Sequence, residues 1–349
     1  MAEQTKKQDI AILWQASRLT LTDEYTIAPE ILKGHGSAIG TLGNFSASIG
    51  KAKSKKTFNV SAIVAAALMN GTVLQYAAEL PENKRKILYV DTEQSPYHCQ
   101  KVMKRIVRMA ELPLDKHPEN LQFLALRKYA PDIRIAIVET AIYNTKGLGL
   151  IIIDGIRDMV YDINSPSEST KIISKLMQWT DEKQIHIHTI LHQNKADENA
   201  RGHIGTELNN KAETVLEVAK DKLDSNISIV KAIHIRAMDF QPFAFIINEN
   251  ALPELVDGYS FNKGKVESEV FDYSELKDEQ HRKALEATFS ESVSFGYGDL
   301  IKALKCGYAS IGCVCGDSKA GKLKTFLENK RMIVKDASRK YSFKSDYHY

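Results

Sequence analysis

Eight residues near the start of the chain, Gly50 to Thr57, read GKAKSKKT. A loop of the form GxxxxGK[ST] wraps a polyphosphate with backbone N–H groups at a helix N-terminus. Its lysine reaches the outer phosphate oxygens and its hydroxyl ligates Mg²⁺. With Gly50, Lys56 and Thr57 aligned on that pattern, one position departs: the second glycine is Lys55. The candidate nucleotide loop is therefore Gly50, Lys51, Ala52, Lys53, Ser54, Lys55, Lys56 and Thr57, followed by Phe58. A frame using Gly50-Lys51 as the GK pair fits less well, because it puts Ala52 at the metal position and Phe45 at the first glycine. A side chain at position 55 is compatible with slowed hydrolysis or with a tolerated departure. A second match, GDSKAGKL from Gly316 to Leu323, ends in leucine, which cannot ligate magnesium. Too little chain follows it for a nucleotide domain, so it reads as the entry to a helix.

Phosphate chemistry also needs carboxylates. LGLIIIDG ends an unbroken apolar run on Asp154, where a strand-end carboxylate would hold Mg²⁺. ILYVDTEQS places Glu93 just past another apolar strand, as a base for an attacking water. Further on come TILHQNK, containing Gln193, and HIR, ending on Arg236.

These residues need a scaffold that presents strand ends to one side. Short apolar runs at Ala38–Phe45, Ile87–Asp91, Leu121–Leu126, Leu148–Asp154, Ile185–His192, Ser228–Arg236 and Phe243–Asn248 lack strict alternation, as strands buried on both faces do. Helical periods at Lys56–Met69, Tyr97–Glu111, Asp132–Asn144 and Thr170–Gln184 fall between them. That order predicts an α/β fold with a mainly parallel sheet flanked by helices, its last two strands forming an antiparallel hairpin.

The succession of phosphate loop, DTE, IIIDG and HQNK resembles the RecA-like ATPases, in particular the RepA and DnaB branch of hexameric helicases and their plasmid and mobile-element relatives. The resemblance spans roughly residues 37 to 248. It implies ATP and Mg²⁺ as cofactors, with Lys56 on the phosphates, Thr57 and Asp154 on the metal and Glu93 as the catalytic base. It implies further that Gln193 senses the γ-phosphate. Arg236 would reach a neighbouring subunit's ATP, with His234 where relatives usually carry lysine. The stretch after Gln193 takes the place of a DNA-contacting loop, which makes Lys195 and Arg201 candidate phosphate contacts. A homo-oligomeric ring or filament is expected.

Residues 1–36 read as an extension, 37–250 as the ATPase domain, 251–275 as a linker and 276–349 as a second domain. In the last, helical segments Glu279–Phe289, Tyr297–Leu304 and Lys319–Lys330 precede Met332–Val334 and Tyr341–Phe343, strands about a polar turn, which predicts a small winged helix-turn-helix. From His281 to Tyr349 there are 13 Lys and Arg against 7 Asp and Glu, so the near-neutral total of +3 divides into a slightly acidic body and a basic C-terminus. Lys319, Lys322, Lys324, Arg339 and Lys340 are the candidate DNA contacts there, on the helix and wing that would meet a duplex. Four cysteines, no long apolar run and no secretory leader fit a cytoplasmic protein without membrane partners. The reading is a DNA-dependent ATP hydrolase, motor or switch. Its rival is a nonhydrolysing DNA-binding regulator whose oligomeric state is set by nucleotide.

Overall fold

The computed structural model describes residues 10–193, 202–259, 261, 273–274 and 276–344. By internal contacts the chain divides into two units, Met1–Tyr259 and Ser260–Tyr349.

In the first unit, residues 10–16 form a short helix (α1). Glu30–Gly34 (β1) and Ser37–Thr41 (β2) follow, and Phe45–Gly50 (β3) runs into the phosphate loop. The single strand expected at Ala38–Phe45 is thus two strands, with Gly43 at φ 85° in the turn between them. Helix Lys56–Met69 (α2) is alanine-rich and buried along most of its length. It ends on Asn70 in the left-handed region, whose N–H caps the carbonyls of Ala66 and Ala67. Thr72–Val73 (β4) and Tyr76–Ala78 (β5) join β1 and β2 in a small sheet of order β2-β1-β5-β4. Ile31 and Leu32 of β1 are fully buried, so the segment expected to stand apart as an extension contributes its last residues to the body.

The main sheet takes Lys86–Asp91 (β6), Leu121–Ala125 (β7), Leu148–Asp154 (β8), His186–His192 (β9), Thr214–Lys220 (β10), Ser228–Ile235 (β11), Phe243–Ile247 (β12) and Pro253–Leu255 (β13), together with β3. Among the described residues its order is β13-β12-β11-β10-β3-β9-β8-β6-β7. From β10 to β7 the neighbours are parallel; from β10 to β13 they are antiparallel. Pairing of β13 with β12 carries the sheet into the region expected to be linker. Helices Pro96–Met109 (α3), Pro131–Asn144 (α4), Pro166–Lys183 (α5) and Gly202–Lys211 (α6) cover the sheet with α2. One face packs Tyr89, Ile152, Ile190 and Leu216 against α2, α3 and the small sheet. The other packs Ile49, Val90, Ile153, Ile187 and Val215 against α4, α5 and α6. The fold is mixed α/β around a mostly parallel central sheet, as the alternation of strand and helix predicts.

A line of polar groups interrupts the first of these faces. Ser46 Oγ lies 2.7 Å from both His186 Nε2 and His188 Nδ1, and Ser48 Oγ lies 2.8 Å from His188 Nε2. His186 Nδ1 donates to the Thr41 carbonyl at 2.9 Å, since a carbonyl only accepts. With both imidazoles neutral the remaining bonds follow: Ser46 donates to His186, accepts from His188, and Ser48 donates to His188. Burial, reinforced by His186, pushes the His188 pKa from 6.5 down to about 3. The unfolded chain therefore takes up a proton below pH 6.5 that the folded chain refuses until about pH 3, so stability falls as pH falls. Between pH 7 and pH 5 His188 alone should remove about 2 kcal/mol. Urea unfolding at the two pH values measures this, and in His188→Gln the loss should shrink by that amount.

The second unit is built from Asp278–Thr288 (α7), Ser294–Phe295 (β14), Tyr297–Ala309 (α8), Asp317–Asn329 (α9), Ile333–Lys335 (β15) and Tyr341–Phe343 (β16). The three strands form an antiparallel sheet of order β14-β16-β15. Leu285, Leu300, Leu304, Tyr308, Leu323, Leu327 and Ile333 make its core. Residues Gly316 to Leu323, the second GxxxxGK match, are the start of α9, as expected.

Candidate functional site

At the C-terminal edge of the parallel strands, Lys53 to Phe58, Glu93, Asp154 and His192 line one cleft of about 420 Å³. That size falls in the range of small-ligand sites. Gly50 closes β3 in tight quarters: a Cβ there would sit 2.2 Å from the Val218 carbonyl oxygen and 2.7 Å from Ser54 Oγ. The loop then turns through two left-handed residues, Lys53 at φ 64° and Lys55 at φ 70°. Position 55 thus has the backbone that explains why the pattern asks for glycine, at a cost to lysine of about 1 kcal/mol. Its side chain does not cross the cleft mouth toward Lys56. It donates to the carbonyl of Asn226 at 2.5 Å. Lys51 and Ala52 are exposed and lie outside the cleft lining.

Lys56 is buried, and its ammonium donates to the loop carbonyls of Gly50 at 2.7 Å and Lys51 at 2.9 Å. Desolvation lowers its pKa to about 8, against the attraction of Asp154 and Glu93. Thr57 Oγ1 donates to Asp154 Oδ2 at 3.3 Å, and the Tyr89 hydroxyl donates to the same oxygen at 2.8 Å. Burial, with Asp91 nearby, raises Asp154 to about 7. Glu93 is projected by a turn in which Asp91 Oδ1 accepts the amides of Glu93 at 3.0 Å and Gln94 at 2.7 Å. Phe58 turns its ring under the Arg105 guanidinium, 3.5 Å from the ring centre.

His192 is the cleft residue that the motif analysis missed. Its Nδ1 lies 3.2 Å from Lys56 Nζ and its Nε2 lies 3.7 Å from Glu93 Oε1. Because the lysine ammonium donates, Nδ1 accepts and the imidazole proton sits on Nε2, facing the carboxylate. His192 above all, with Lys56 and Arg157 farther out, holds the Glu93 carboxyl below its ordinary pKa against desolvation.

Gln193, expected to face the γ-phosphate, is not brought to the cleft. It is buried on the opposite face of the strand end, and its Nε2 donates to Glu217 Oε1 at 2.6 Å; Glu217 also pairs with Lys231 at 2.7 Å. Neighbouring strand residues point to opposite faces. His192 shares the α2 side with His186, His188 and Ile190, and Gln193 falls on the other.

Arg236 also lies away from the cleft. Strand β11 runs from Ser228, paired with Lys220 near the loop end, to Ile235, paired with Thr214 at the far end. Eight residues at about 3.3 Å each separate the two ends by roughly 25 Å. There Arg236 Nη2 donates to the Lys211 carbonyl at 3.4 Å and lines a polar hollow with Glu213, His234 and Asp239. Topology excludes it from its own chain's cleft.

Lys195 and Arg201 lie outside the described residues. In the second unit Lys322, Arg339 and Lys340 are exposed, and Lys319 is half-buried. Lys324 is held inward: it pairs with Glu328 at 2.8 Å, lies 5.3 Å from the Tyr341 ring centre, and its side chain is only 13% exposed. The expectation that it contacts DNA does not suit that placement.

The cleft fits a nucleotide with magnesium. A hydroxyl and a buried carboxylate, Thr57 and Asp154, are hard oxygen donors held together at the head of α2. Ser54 Oγ is buried in the loop with no hydrogen-bond partner among the described residues. No curated protein matches the chain. Residues 25–198 match the family model described as AAA domain, and this part of the chain is accordingly a P-loop ATPase-type domain.

Proposed function

We propose that the protein is a Mg²⁺–ATP-dependent, DNA-associated ATPase of the RecA-like RepA and DnaB type, a helicase-type motor or switch serving a plasmid or mobile element. What supports the reading is the convergence of Lys56, Thr57, Glu93 and Asp154 on one cleft at the strand ends. Lys56 and the loop amides would hold the β- and γ-phosphates, and Thr57 and Asp154 would hold magnesium. The metal supplies charge neutralisation on the phosphate oxygens. Glu93, its carboxylate form favoured by the nearby His192, takes the proton as water attacks the γ-phosphorus and ADP leaves. Arg236 serves the cleft of a neighbouring copy in a ring or filament, since its own lies at the far end of the sheet.

The rival, a nonhydrolysing regulator, drew its support from Lys55 in the loop. That side chain donates to the Asn226 carbonyl, so the departure at position 55 does not by itself select the rival. ATP turnover measured with and without single-stranded DNA tests the proposal. Tight ATP binding with no turnover under either condition selects the rival.

The second unit carries the DNA part of the proposal as a winged helix, with α9 and the β15–β16 turn as its reading surface. The triple variant Lys322→Ala, Arg339→Ala, Lys340→Ala should weaken duplex binding and reduce the salt slope of the affinity by about one for each phosphate contact removed. Lys324→Ala should leave that slope unchanged and instead lower the thermal stability of the unit. Fluorescence anisotropy across a salt series separates the two outcomes.

A further inference from the structure

Lys55 has a partner that its place in the loop motif does not explain. Asn226, whose carbonyl accepts its ammonium, belongs to the turn between β10 and β11. Carboxylates tie that turn together. Asp224 Oδ1 accepts the Asn226 amide at 2.8 Å, and Asp221 Oδ1 accepts the amides of Leu223 and Asp224, each at 2.7 Å. The Ile227 amide closes the turn on the Asp224 carbonyl at 3.0 Å. The other Asp221 oxygen accepts the hydroxyl of Tyr259, the last residue of the first unit. Hydrogen bonds therefore run without a break from the phosphate loop, through the turn, to the root of the segment that leads into the second unit.

Lys55 also lines the nucleotide cleft, while its ammonium is held by the Asn226 carbonyl. A bond from a cation to an anionic phosphate oxygen is about twice as strong as one between neutral groups. A polyphosphate across the head of α2 thus competes for this ammonium with a backbone carbonyl. We propose that Lys55 is a nucleotide-sensing tether: phosphate in the cleft draws its ammonium from Asn226, frees the turn at residues 221–227 and loosens the anchor of Tyr259. The inference rests on the nucleotide reading above and adds a read-out to it.

The test is amide hydrogen exchange on the full chain with and without Mg²⁺ and the slowly hydrolysed analogue ATPγS, with binding followed in the same samples by equilibrium dialysis. In the wild-type protein, bound nucleotide should speed exchange of the Leu223, Asp224, Asn226 and Ile227 amides about tenfold, the scale of one charge-assisted bond exchanged. Exchange at residues 257–259 should rise with it. In Lys55→Met the turn should exchange at the fast rate in both conditions. In Tyr259→Phe the turn should still respond to nucleotide, while residues 257–259 exchange fast throughout. Bound nucleotide with unchanged exchange in the wild type overturns the tether, as does a Lys55→Met turn protected like the wild type. Dialysis showing no binding overturns the nucleotide reading and the tether with it.

Discussion

Glu93→Gln is expected to lower ATP turnover by about 10²–10⁴-fold while leaving Mg²⁺–ATP binding in place, the range for removing a positioned general base. The carboxylate is well placed for that task. His192 keeps it ionised, and its side chain is 45% exposed, open to a water molecule at the cleft mouth. The amide of glutamine keeps the shape of the side chain and cannot take a proton. Lys56→Ala should differ in kind, losing binding itself, because its ammonium is the buried cation of the loop. A single-turnover assay beside a nucleotide-binding titration distinguishes the two. Unimpaired turnover in Glu93→Gln would remove the hydrolytic mechanism.

Arg236→Ala should reduce turnover by about 10³–10⁵-fold, the range for an arginine that neutralises transition-state charge from a neighbouring subunit. Its position makes a sharper outcome available. Arg236→Ala keeps an intact nucleotide cleft, and Lys56→Ala keeps an intact Arg236 at the far end of the sheet. Each variant should be inactive alone. Mixed before assembly, some interfaces unite the good cleft of one with the good arginine of the other, and activity should reappear. Full activity in Arg236→Ala, or no recovery on mixing, removes the trans role.

The parts of the site legible in the sequence are those that local pattern controls. Glu93 and Asp154 follow apolar strands directly, and strand ends in a parallel sheet share one edge, so β6 and β8 bring them together. The loop from Gly50 to Thr57 was legible for the same reason. Strands β6 to β9, β11 and β12 were expected near where they lie. β3 was misplaced because its FSASIG carries serines where an apolar run was sought, and the apolar side chains nearby belong to β2. β10 went unread because TVLEVAK suits a helix as well as a strand; its pairing with β3 decides the matter. His192 was not singled out because no motif names it, and Gln193 was named from its order in the chain although its side chain pairs with Glu217. The direction of the Lys55 side chain is a tertiary fact, set by a turn that is distant in sequence.

The serine–histidine ladder inside the sheet bears on alignment. Sliding β9 by one residue against β3 would turn its apolar set to the wrong face, which burial already forbids. Sliding by two keeps the apolar alternation and would pass that check. It would not pass the ladder: Ser46 stands opposite His188 and Ser48 opposite Ile190. A two-residue shift in either direction takes His186 away from the Thr41 carbonyl and leaves a buried imidazole N–H to lose its acceptor, at about 1–3 kcal/mol. These polar groups work as a key that admits one setting of the two strands. Gly50 and His192 face each other two residues beyond Ser48 and Ile190 in that setting. The height of the phosphate loop against the histidine beside Glu93 is thus fixed from within the core, by groups that lie outside the cleft lining.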